Sequence, residues 1–81
     1  MEIAGSETAT PNNIRNALKH CAAKPGVKIA VLFFPENNFT AENFELGFAK
    51  YSGLRGTSQY TKFEFIYCIG NNEIIQRKKP D

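Results

Sequence analysis

Six polar side chains gather where the chain approaches its first helix: Ser6, Thr8, Thr10, Asn12, Asn13 and Arg15. Hydroxyls, amides and a guanidinium are groups that can hold a phosphate. Pro11 marks the helix start, and a helix N-terminus presents unpaired N–H groups and a partial positive charge. Arg15 falls one turn inside it. Capping and loop formation use the same residue types. Ahead of the cluster, Glu2 sits on a short strand that breaks at Gly5 and empties into the polar loop.

Other chemistry is sparse. His20 is the single histidine, and it falls beside an apolar helix stripe next to Cys21. A catalytic base and a surface or half-buried helical histidine are both open at that position. Asp81 is the single aspartate and ends the tail. Metal-dependent phosphodiester cleavage needs carboxylates converging on a hard cation. Glu2, Glu36, Glu42, Glu64 and Glu73 show no close pair at ligand spacing, so no metal and no cofactor is expected. Neither a Gly-rich phosphate cradle nor a Ser/His/Asp set can be assembled. Arg55, Lys62, Arg77, Lys78 and Lys79 would make a basic rim, or simply a solvated surface and tail.

The bulk numbers set limits. Eighty-one residues make one domain. A chain this short buries roughly 60–65% of its unfolded surface. The net charge of +2 comes from ten basic and eight acidic residues, which permits nucleic-acid binding without arguing for it. Cys21 and Cys68 fall in apolar patterns and read as buried free thiols. There is no signal-peptide pattern, and the longest apolar run, Ile29 to Phe34, is too short for a bilayer. A soluble, cytoplasmic protein with no membrane partner is expected.

The elements that would position these residues can be read in order. Thr10 caps a helix from Pro11, with Ile14, Ala17, Leu18 and Cys21 as its apolar stripe and Pro25-Gly26 as its end. Val27 to Phe34 reads as a central strand covered on both faces. Pro35 to Asn38 is a loop. Thr40 caps a second helix, with Phe39 and Phe44 as a hydrophobic staple and Ala41, Phe44, Phe48 and Tyr51 as the stripe. Gly47 permits a close approach, and Gly53 with Gly56 ends the helix. Leu54 to Thr61 is a polar loop. Lys62 to Ile69 alternates as a strand, with Phe63, Phe65, Tyr67 and Ile69 on one face. Gly70-Asn71-Asn72 makes a tight turn into a return strand, Glu73 to Arg77, and Lys78 to Asp81 is a frayed tail.

The expected fold is therefore α/β: a small two-layer sandwich in the order β-α-β-α-β-β, with a mixed sheet and a C-terminal antiparallel hairpin. Strand and helix alternation argues for parallel neighbours joined by right-handed crossovers. With both helices on one face, the other face of the second strand stays apolar and uncovered. That is an association surface, so a homodimer or a companion segment is expected.

A glutamate-bearing strand leading into a Gly/Ser/Thr loop and a helix is a layout many nucleases use. Glu2-Ile3-x-Gly5-Ser6, then Asn12-Asn13-Ile14, Lys28 to Leu32, Phe63 to Tyr67 and Glu73-Ile74-Ile75 extend the pattern. Together they resemble the C-terminal portion of a bacterial nuclease-like domain. That domain ends CdiA-type contact-dependent toxins and phage head-morphogenesis proteins, and it is related to the BECR and PD-(D/E)XK nuclease groups. The resemblance covers most of the chain with short motifs. It implies that residues 1–81 are the C-terminal part of a larger nuclease-like domain. It places Glu2, Ser6 and Thr8 at catalytic positions, with Thr10, Asn12, Asn13 and Arg15 contacting RNA or DNA. The family's strand lysine is Ala4 here, so the charge that would steady a phosphorane is missing. The implied function is a nuclease-like nucleic-acid-binding module, catalytically incomplete in this form. The alternative is an assembly module of phage or mobile-element origin acting through the apolar sheet face.

Overall fold

The computed structural model describes residues 2–5, 9–34 and 40–70, and the backbone of 73–78. Its elements are β1 (Glu2–Gly5), α1 (Pro11–Ala22), β2 (Ile29–Phe33), α2 (Ala41–Ser52), β3 (Phe65–Gly70) and β4 (Glu73–Lys78). The strands form one sheet in the order β1-β2-β3-β4. β1, β2 and β3 are parallel, with Ile3 opposite Val31 and Val31 opposite Tyr67.

The expectation of a mixed sheet needs correcting. The three strands joined through the helices form an all-parallel sheet. Each helix carries the chain back to the end where the previous strand began, so the next strand runs the same way. Antiparallel pairing enters only with β4, on the outer edge of β3, with a register irregularity between Cys68 and Ile69. The organising unit is therefore a parallel β-α-β-α-β fold, not a sheet built around a hairpin. The expected turn at Asn71-Asn72 lies outside the described residues.

Local chemistry explains the helices. Thr10 is extended, and its hydroxyl accepts from the Asn13 N–H at 3.2 Å. Pro11 fills the first helical position, where a missing N–H costs nothing. Ile14, Ala17, Leu18 and Cys21 are buried. Thr40 caps α2 in the same way through the Asn43 N–H at 3.1 Å. Its buried positions are Phe44, Gly47 and Tyr51, while Ala41, expected on the stripe, is exposed. The close contact with α1 at Gly47 turns the buried stripe away from Ala41. The expected staple partner, Phe39, lies outside the described residues. Gly53 has an ordinary helical φ of −64°; the left-handed backbone is at Gly26 and Gly56.

Two strands start later than their hydrophobic runs. The Lys28 carbonyl accepts from the Glu64 N–H at 2.7 Å and from the Phe65 N–H at 3.5 Å. The chain bends at Glu64, and regular pairing begins only at Ile29 and Phe65. Phe63 therefore leaves the alternation it was expected to join. It is buried beside the Tyr51 ring, with centroids 6.0 Å apart. Lys78, expected in the tail, belongs to β4.

The core is one cluster on the helix side of the sheet. Ala30, Leu32, Phe34, Ile66 and Cys68 meet Ile14, Leu18, Cys21, Phe44, Tyr51 and Phe63 there. Fully burying one large apolar side chain contributes about 1.5–3 kcal/mol. The alternate positions, Ile3, Ile29, Val31, Phe33, Phe65, Tyr67 and Ile69, face the other way, and none belongs to that cluster. Among the described residues, β2 is thus covered by helices on one face, not on two.

Candidate binding groove beside the edge strand

β1 and α1 run antiparallel, so the start of the strand meets the end of the helix. The Glu2 carboxylate lies 3.7 Å from His20 Nε2, and the Cys21 thiol donates to the Glu2 carbonyl at 3.6 Å. Further along, a groove of about 240 Å³ opens between the two elements. Ala4 and Gly5 line it from β1; Asn13, Asn16, Ala17 and His20 line it from α1.

The expected site residues are only partly brought together. Glu2 sits by the groove, half-buried. Ser6 and Thr8 lie outside the described residues. Thr10 spends its hydroxyl on the helix cap, so the Asn13 N–H that an anion would use already has an acceptor. Asn12 is exposed and does not line the groove; Asn13 does. Arg15 donates from Nε and Nη2 to Asn16 Oδ1 at 3.3 and 3.1 Å. His20 is exposed at 61% of its side chain, as a surface histidine of the helix, with the Glu2 carboxylate as its partner.

Asn16 and Ala17 were missed as groove residues. Their signal was in the sequence: Asn13, Asn16, Ala17 and His20 recur at i, i+3, i+4 and i+7, a second stripe beside the apolar one. The Glu2–His20 pair carried no local signal, because its partners are 18 positions apart in the chain.

Elsewhere the polar groups are structural. Burial pushes the Cys21 thiol up to about 11, helped by the Glu2 carboxylate. Burial raises Cys68 further. Both are free and buried, and as neutral thiols they are poor nucleophiles. Among the described residues, no three His, Cys, Asp or Glu side chains come together to hold a metal ion. Of the expected basic rim, Arg55 stacks over the Tyr60 ring at 5.5 Å and Lys62 is exposed. Lys79 lies outside the described residues, as do the Arg77 and Lys78 side chains. No described helix is long and apolar enough to cross a membrane.

Compared with family models, curated proteins and solved structures, the chain matches none. Its functional reading therefore stands on its own residues.

Proposed function

We propose that the chain is a protein-association module whose open sheet face joins a second copy of itself. The observation that carries this reading is the composition of that face. Three register rows cross it: Ile29 with Phe65; Ile3, Val31 and Tyr67; Gly5, Phe33 and Ile69. Within β1 to β3 no charged residue falls on these rows, and Tyr67 carries their one side-chain polar atom; β4 continues the middle row at the sheet edge with Arg77 opposite Tyr67. Ile3 is 58% exposed there, Val31 is buried among its neighbours, and Ile29, Phe33, Phe65, Tyr67 and Ile69 are half-buried. The Phe65 and Tyr67 rings stack at 6.1 Å and make a flat aromatic platform.

A partner bearing charges would have to bury them unpaired against this surface, which is costly. A second copy presents the same apolar rows of β1 to β3, with Arg77 left at the β4 edge, so the centre of such a pairing buries no charge. Sheets pack face to face at about 10 Å with side chains interdigitating, and a two-fold axis makes the patch self-complementary. The result is a four-layer α-β-β-α sandwich. The competing reading, nucleic-acid binding through the start of α1, has less support. Thr10 is engaged in the cap and Arg15 with Asn16.

Sedimentation equilibrium over a wide concentration range tests the proposal. The weight-average mass should rise from one chain towards two, and Phe33→Glu should hold it at one chain with an unchanged circular dichroism spectrum. A mass of one chain at every concentration, or a dimer indifferent to a folded Phe33→Glu variant, overturns it.

A further inference from the structure

The groove beside β1 has the form of a slot for an extended chain. Among the described residues, β1 lies at the sheet edge and pairs with β2 alone. A strand bonded on one side leaves alternate N–H and C=O groups facing outward on the other. Three residue steps from Glu2 to Gly5 span about 10 Å. The seven steps from Asn13 to His20 also span about 10 Å along the helix axis. The two walls are therefore matched in length: one is strand backbone and the other a row of polar side chains, with the small Ala17 leaving room between them.

The helix wall also has a sign. The Arg15 guanidinium, bonded to Asn16 Oδ1, stands at the rim of the slot, His20 lines it, and α1 carries no acidic residue. Arg15 occupies Asn16 Oδ1, so what Asn16 offers a ligand is its Nδ2 donor. Among the described residues, Glu2 is the carboxylate beside the slot, 3.7 Å from His20 Nε2.

We propose that this slot binds an acidic, extended peptide segment by strand addition to β1. The peptide backbone hydrogen-bonds to the outer edge of β1, and its carboxylates accept from Asn16 and His20 on the helix wall. Strand addition draws affinity from main-chain bonds and specificity from the flanking side chains. The slot lies on the edge of the sheet and does not draw on the open face described above.

Fluorescence anisotropy tests this with a labelled peptide of alternating Glu and Val, beside a Lys-Val counterpart and a Glu-Val peptide N-methylated at alternate residues. The Glu-Val peptide should saturate the protein and shift the amide resonances of Glu2 to Gly5. Each counterpart should bind about tenfold more weakly, one for its charge and one for its lost backbone donors. Asn16→Trp, at an exposed position whose folding circular dichroism can verify, should fill the slot and weaken binding by about the same factor. Absence of saturation, equal binding of the Lys-Val peptide, or indifference to N-methylation or to Asn16→Trp overturns the proposal. So does a tRNA that shifts the Glu2 to Gly5 amides where the peptide does not. Shifts of those amides that track protein concentration without peptide would give the slot to a second copy and overturn it as well.

Discussion

The Tyr51 hydroxyl bonds twice to one residue: it donates to the Thr61 carbonyl and accepts from the Thr61 N–H, each at 2.7 Å. The Tyr51 ring stacks on Tyr60 at 4.9 Å and lies 6.0 Å from Phe63. The Thr61 hydroxyl in turn donates to the Ala22 carbonyl at 3.4 Å. This one contact fixes the end of α2, the approach to β3 and the end of α1. Tyr51→Phe keeps the ring and removes both bonds, leaving two Thr61 backbone groups without that partner. The expected loss is about 1–3 kcal/mol. Urea unfolding should show a lower midpoint with an unchanged slope; a midpoint equal to the parent's would mean water replaces the hydroxyl at no cost.

Three buried acids, Cys21, Tyr51 and Cys68, make the fold sensitive to alkali. Burial raises Cys21 from 9.0 to about 11, with Glu2 adding to the shift, and raises Tyr51 from 10.0 to about 12. In each case the folded protein holds its proton more tightly than the unfolded chain. Stability is therefore full below pH 9 and falls as pH rises towards 12, because the unfolded state is then the one that ionises. Each two-unit shift corresponds to roughly 2–3 kcal/mol at the upper end. Urea midpoints measured from neutral pH upward should fall above pH 9, and Tyr51→Phe should flatten the part above pH 10. A flat profile across that range would contradict the burial of these groups.

Local signals made the helices legible. Thr10-Pro11 and Thr40 specify their own caps, and the α1 stripe of Ile14, Ala17, Leu18 and Cys21 is the buried one. The strand limits were less legible, because hydrophobic runs continue past the last paired residue. Phe63 shows why: its place in the alternation put it with Phe65, but the bend at Glu64 sends it to the core instead. Which side of the sheet the helices cover follows from crossover handedness and not from composition. The Glu2–His20 pair depends on the antiparallel run of β1 and α1, and only the fold brings those ends together.

Thr10 separates a structural role from a binding one. Its hydroxyl accepts the Asn13 N–H, the ordinary work of a helix cap. Thr10→Ala should cost about 1 kcal/mol of stability, and Thr10→Ser should restore most of it. Asn12→Ala, at an exposed position one residue into the helix, should change stability by less than about 0.5 kcal/mol. Thermal unfolding of the three variants checks the ranking. Equal losses for Thr10→Ala and Asn12→Ala would show that the cap is not what holds the start of α1.

The two helices come close at Gly47. A Cβ added there would lie 2.6 Å from Ile14 Cβ and Cγ2 and 2.9 Å from the Pro11 carbonyl oxygen. Alanine is the better helix former by about 1 kcal/mol, so propensity alone predicts stabilisation by Gly47→Ala. Packing should win, because the nearest atoms include a backbone carbonyl and the Cβ of a fully buried isoleucine, neither of which can swing aside. Overpacking of this kind costs about 1–3 kcal/mol. Gly47→Ala should therefore destabilise, and Ile14→Ala alone should cost about 2–5 kcal/mol by opening a cavity. Combined, the two should cost less than their sum by about 1 kcal/mol, since the new methyl group enters space the isoleucine has left. Urea titration of the two single variants and the double variant measures this. Strict additivity, or stabilisation by Gly47→Ala, would mean that α1 and α2 are free to move apart at the crossing.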